Sequence, residues 1–331
     1  MPHFRRLAFA KRELLVLIAI FFVGMMVLLP AVQRMREHAA REKCQHNLKQ
    51  IALACQNYES SFGHLPPGGI ESPFKDTGDG QTFLGCIPFI ISYLECEDVF
   101  RHFDTSDESG IKFDADAQLP KGTKPWYENE TNLRLARSRF PMLHCPSDDA
   151  YSSPFVFSYL FAGNDTMNSG FVASSYANLG RTNYMPCAGS IGRTETKPYG
   201  QYFGVFTDRS KTRLDQICDG TAATFLFGEY LGDYSKGQRT YAASWMGAGS
   251  CGTAYGLPDP GYQAGGEINF GWITFNSKHP GIIHFAMADG SVYPVRKGVG
   301  AVWFSTDWYN LQRAGGMQDG EVLFRASVCT D

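Results

Sequence analysis

The sequence predicts an α+β protein, with one long N-terminal helix packed on a strand-rich, loop-rich globular body. Two observations carry this. Residues 14–32 read LLVLIAIFFVGMMVLLPAV, nineteen residues without a charge, and apolar residues then recur at helical spacing up to Phe62. Beyond that point Gly and Pro are frequent, with 35 and 17 in the chain, and short apolar runs alternate with turn residues, the pattern of strands and loops rather than of long helices. The 331 residues suffice for a proper core. A formal net charge of −3 gives no basic surface for nucleic acid.

Each element follows in order. Residues 1–13 form a basic leader with Arg5, Arg6, Lys11 and Arg12. The span 14–32 covers roughly 28 Å as a helix, about one hydrocarbon core. It is longer than the apolar core of a cleaved signal peptide, and the basic leader predicts a cytoplasmic N-terminus. Residues 33–62 continue the helix with one apolar stripe of Cys44, Leu48, Ile51, Cys55, Tyr58 and Phe62, three or four residues apart. Gly63 ends it and Pro66-Pro67 forbid its return. Residues 63–331 form the body. Short helices are expected at 87–94, 97–103 and 131–137, a polar surface insertion at 104–130, and buried strands at 203–206 and 224–230. A hairpin is expected at 282–295, turning at Asp289-Gly290 as a two-residue type I′ loop that sets Met287 opposite Val292 and Phe285 opposite Pro294.

The N-terminus resembles that of type IV prepilins, in which a basic leader and a glycine precede F-T-L-I-E-L-L-V-V-I-A-I. Residues 8–20 read A-F-A-K-R-E-L-L-V-L-I-A-I. Phe9 falls on the family's first mature residue and Glu13 on its glutamate. Ala8 stands in place of the glycine, and Lys11-Arg12 replace two apolar residues, so peptidase processing is expected to be slow or absent. The rest of the chain resembles the bacterial family called domain of unknown function 1559. Its matching segments, in order, are 28–68, FPMLHCPSDD at 140–149, TNYMPCAGS at 182–190, GVF at 204–206, LDQICDGTAATFLFGE at 214–229 and SKHPGIIHFAMADGSVYPV at 277–295. The last carries an H-x(9)-D-G motif on His279, Asp289 and Gly290. The resemblance implies an anchored, pilin-like or pseudopilin-like protein of the bacterial envelope, single-pass in the inner membrane with a periplasmic body. Its implied partners are the lipid bilayer and other pilin-like subunits. In pilins the glutamate meets a neighbouring subunit's N-terminus.

Catalytic and metal readings are weaker. No C-x-x-C, H-E-x-x-H, G-x-S-x-G or P-loop occurs. His38 and His46 stand roughly 12 Å apart on one helix, too far to share an ion. The strand 282–288 measures about 23 Å, which separates His279 from Asp289. His279 is therefore read as a capping or inter-segment hydrogen-bond donor and Asp289-Gly290 as turn chemistry. Asp148-Asp149, or Asp104 with Asp107, offer oxygens that suit calcium, although a solvated acidic loop is the expectation. No catalytic residue, resident metal or other cofactor is expected. A membrane-tethered module binding a glycan, peptide or envelope protein is the alternative function, and a hydrolase with an unrecognised site a third.

The nine cysteines are odd in number, which leaves at least one unpaired. One bridge is expected, Cys44–Cys145. Cys44 sits on the apolar stripe, and Cys145 ends an apolar segment, Phe140–Leu143, that belongs in the core beside that helix. Cys44 with Cys55 is excluded, because eleven helical residues separate them by about 16 Å.

Overall fold

The computed structural model describes residues 11–70, 82–106, 111–117, 123–163, 166–172, 178–232, 234–235, 238–257, 271–320 and 328–329. The first element is α1, Lys11–Phe62, one continuous helix with Pro30 inside it. It ends where expected: Gly63 takes φ +75° and its N–H returns to the Glu59 carbonyl at 2.7 Å, a left-handed cap that glycine adopts without a Cβ clash. Next come β1 (Gly69–Ile70), β2 (Leu84–Gly85), α2 (Ile87–Ile90), α3 (Glu97–Phe100) and α4 (Glu130–Leu135). The strands β3 (Phe155–Gly163), β4 (Thr166–Val172), β5 (Arg181–Thr182), β6 (Tyr184–Pro186), β7 (Phe225–Glu229), β8 (Tyr234–Ser235), β9 (Gln238–Arg239) and β10 (Tyr241–Ser244) follow. The chain continues through β11 (Ile282–Met287), β12 (Val292–Arg296) and α5 (Thr306–Gly315).

The chain divides into two compact units, Met1–Glu42 and Lys43–Asp331. In the first, the apolar side chains described between Leu14 and Val32 are solvent-exposed, for example Phe21 at 64% and Met26 at 71%. In the second, α1 becomes a core element at Cys44. Cys44, Leu48, Ile51, Cys55 and Tyr58 are buried along the stripe, together with Asn47, Ala52 and Ala54. Phe62, at the last position of the stripe, is 56% exposed. The compact body thus begins inside the helix rather than at residue 63, because the packed face of α1 belongs to the same core as the sheets.

Two four-stranded sheets organise the body, in the orders β4-β3-β10-β5 and β12-β11-β7-β6. The first contains one parallel pair, β10 with β3. The second is antiparallel throughout. Every residue of β7 is buried, as an interior strand covered on both faces requires. Three polar links tie α1 to the second sheet and its hairpin: Gln45 Nε2 to His284 Nε2 at 3.1 Å, Asn47 Nδ2 to the Tyr184 hydroxyl at 3.2 Å, and Gln56 Nε2 to the Ala288 carbonyl at 3.1 Å.

Three local expectations are corrected. The hairpin registers Ala286 with Val292, Phe285 with Tyr293 and His284 with Pro294, one residue away from a two-residue loop. The Gly290 N–H bonds the Met287 carbonyl at 2.9 Å, and the Met287 N–H bonds the Ser291 carbonyl at 2.8 Å. Only Gly290 has positive φ, at +85°, so this is a three-residue loop closing on a left-handed glycine. Residues 104–130 are not a surface insertion among the described residues, since Ile111, Ala115 and Trp126 are buried in the core. Phe203–Phe206 is no strand; it forms a single bridge, Gly189 to Phe203, although Val205 and Phe206 are buried.

Candidate functional site

The segments that carry the family resemblance meet around one buried cluster. α1 supplies Cys44, Gln45 and Asn47. The loop after Phe140 supplies Cys145 and Asp148, and the start of the second sheet supplies Asn183 and Tyr184. Glu229 ends β7, His279 precedes β11 and His284 lies within it. The expected bridge falls here: Cys44 and Cys145 are joined by a disulfide, their Cα atoms 5.4 Å apart.

Against that bridge stands an acid with two imidazoles. Glu229, His279 and His284 are all buried. His279 Nε2 lies 3.4 Å from Cys145 Sγ and 3.2 Å from Glu229 Oε1. The other oxygen, Oε2, accepts the His284 backbone N–H at 2.8 Å and lies 3.2 Å from His284 Nδ1. Oε2 is thereby anchored, while Oε1 takes no directed hydrogen bond and faces the sulfurs. Burial pushes the Glu229 carboxyl up, but contact with His279 and His284 outweighs it and holds the group down at about 2. The carboxylate is therefore ionised at neutral pH. Burial first, and the charge of Glu229 second, push the neighbouring Tyr184 phenol up.

A second buried pair stiffens the same region. Asp148 and Arg239 form an ion pair with both side chains almost fully enclosed, and Asn183 Nδ2 donates to the same Asp148 oxygen at 2.6 Å. Asn183 Oδ1 accepts the Cys145 N–H at 3.0 Å, which holds the cysteine in place. Asp148 is thus engaged by a guanidinium rather than solvated. Asp149 caps a turn by accepting the Tyr151 N–H at 3.1 Å. Asp104 accepts from Asn129 Nδ2 and the Ser106 N–H, and Asp107 lies outside the described residues. Asp104, Asp148 and Asp149 therefore each act as local hydrogen-bond acceptors.

The remaining predicted positions separate. The Asp289 carboxylate accepts both the backbone N–H and the hydroxyl of Ser291 within its own turn. His279 instead turns to Glu229 and Cys145. The two ends of the H-x(9)-D-G motif are engaged by different partners. Ala8 and Phe9 lie outside the described residues, and Glu13 is described only as backbone of α1. Glu229 and His284 were missed by sequence reasoning. The available signal was a glutamate closing the apolar run Phe225–Gly228, where an unpaired charge would be costly.

The fold and cluster define an α+β protein whose N-terminal helix is long and apolar enough to cross a membrane. The chain belongs to the family described as protein of unknown function DUF1559, whose model matches residues 33–299. No curated protein and no solved structure gives a significant match.

Proposed function

We propose that the chain is a membrane-anchored, pilin-like or pseudopilin-like structural protein of the bacterial envelope, without a catalytic role of its own. The observation that carries this reading is α1. One unbroken helix has an exposed, uncharged apolar stretch at 14–32 and a face buried in the globular body from Cys44 onward. An exposed apolar surface of that length needs lipid or other helices around it. The basic leader orients it with the N-terminus in the cytoplasm and the body in the periplasm. Protease added to spheroplasts is expected to digest the body, and filament-sized material carrying the chain is expected in sheared surface fractions. A body that resists until the membrane is broken contradicts the orientation, and a chain found only as membrane-bound monomer contradicts the assembly role.

A second reading, a membrane-tethered binding module, is favoured by a cleft of about 170 Å³ lined by Ile191, Thr196, Tyr199, Ala254, Tyr255 and Trp303. Aromatic rings beside polar groups suit a sugar face. Trp303 is 45% exposed, so quenching of its fluorescence by cell-wall glycan fragments, lost in Trp303→Ala, tests this reading.

A further inference from the structure

We infer that the Cys44, Cys145, Glu229 and His279 cluster is a zinc site in the reduced chain, so that the clasp between α1 and the body is either a disulfide or a metal. The ligand atoms of these four buried side chains lie within 4.8 Å of one another. A tetrahedral zinc with sulfur at ~2.3 Å and nitrogen or oxygen at ~2.0–2.1 Å has an N···O edge of about 3.3 Å, an S···N edge of about 3.6 Å and an S···S edge of about 3.8 Å. Two edges already stand near these values: His279 Nε2 to Glu229 Oε1 is 3.2 Å, and Cys145 Sγ to His279 Nε2 is 3.4 Å. Of the other four edges, three lie within the 4.8 Å limit of the cluster, and the fourth is the disulfide itself. Once reduced, the sulfurs separate to about the distance the metal needs, with Cα atoms 5.4 Å apart.

The outer shell is also in place. Glu229 Oε2 is held by the His284 N–H and ring, which leaves Oε1 to face the cluster, as a metal-bound carboxylate is oriented by its outer partners. Asn183 Oδ1 fixes the Cys145 backbone. Two thiolates, one carboxylate and one neutral imidazole give a site of net charge −1 with Zn²⁺, the same as the common Cys₃His set.

The chemistry balances. Opening the S–S bond consumes two electrons and two protons. A dithiol supplies them and closes to its own disulfide; a phosphine does so with water and ends as the phosphine oxide. Each thiol then releases its proton to water as zinc binds. Among the described residues, no other cysteine belongs to a cluster of three or more close metal-ligating side chains.

The test uses the full chain in detergent, reduced anaerobically with a phosphine and titrated with Co²⁺ and then Zn²⁺. One Co²⁺ per chain is expected, with thiolate charge-transfer bands and the intense visible bands of tetrahedral coordination, bleached by Zn²⁺. X-ray absorption of the zinc form is expected to count two sulfur and two nitrogen or oxygen ligands. The oxidised chain should take up no sulfur-ligated metal. Cys218→Ser, at an exposed cysteine, should bind as wild type, and His284→Ala about 10–100-fold more weakly. Absence of stoichiometric uptake by the reduced wild type, or a zinc shell of any other sulfur count, overturns the inference. Neither readout depends on a variant that fails to fold.

Discussion

At the scale of single residues, charge is placed inside this protein only where several groups meet it. Glu229 is enclosed, yet two imidazoles and one backbone N–H face it. Breaking such a cluster costs more than forming it gains, because the remaining partners stay buried. Glu229→Ala is therefore expected to lower unfolding stability by about 3–5 kcal/mol, read as a shift of the urea midpoint. The pH dependence has a defined sign. The folded carboxyl of Glu229 lies at about 2, below its ordinary 4.5, so its contribution is complete above 4.5 and disappears as pH falls toward 2. His144 is held at about 4, against an ordinary 6.5, by burial above all. The unfolded chain takes up that proton first, so stability also drops as pH falls from 6.5 to 4. Thermal melts should give a plateau above pH 6.5 and a two-stage decline below it. A melting temperature that rises as pH falls from 6.5 to 4 contradicts the His144 assignment, and one that rises as pH falls from 4 to 2 contradicts that of Glu229.

At the scale of elements, two local features set predictions. The β11–β12 loop depends on one left-handed residue, Gly290 at φ +85°. A Cβ there meets only the flexible end of Gln56, at 3.3 Å, so the penalty is backbone strain. Gly290→Ala should cost about 1–2 kcal/mol, and Gly290→Asn less, because asparagine tolerates that conformation. Equal losses in the two variants would place the cost in packing instead. For α1, the residue before Phe9 is Ala8, with a methyl group where prepilins have none, and Lys11-Arg12 follow closely. Intact-mass measurement is expected to find the chain unprocessed or cut only in small part. Complete conversion to a chain that starts at Phe9 would show that the peptidase accepts this leader.

At the scale of the whole molecule, the body has a single core to which α1 contributes from Cys44 onward. The Cys44–Cys145 bridge ties that helix to a segment 101 residues away. In the chain-entropy account, closing so long a loop stabilises by up to ~4–5 kcal/mol. Cys44→Ser in metal-free buffer should therefore lower the denaturant midpoint with little change in the far-ultraviolet dichroism of the native baseline. An unchanged midpoint would mean that the hundred residues between the cysteines remain ordered when the rest unfolds. Cys55, Cys86, Cys187 and Cys251 lie outside the bridge and are buried, the behaviour of small apolar side chains.

The sequence by itself determined what depends on neighbours along the chain. The uncharged span 14–32, the apolar stripe from Cys44 and the stop at Gly63 define α1, because helical periodicity and a left-handed cap are local properties. The run 224–230 announced a buried strand for the same reason, and Cys44–Cys145 followed from placing each thiol on a core-facing segment. The tertiary structure alone decided which distant side chains meet. Nothing near His279 in the chain points to Glu229, fifty residues upstream. That contact exists because β7 and β11 pair antiparallel in the second sheet. The hairpin register was likewise settled by hydrogen-bond geometry, since Asp289-Gly290 is compatible with loops of two or three residues. Trp126 looked like part of a polar insertion because its burial comes from a core assembled elsewhere in the chain. Local pattern specifies elements, whereas the site is made of residues brought together by strand pairing and packing.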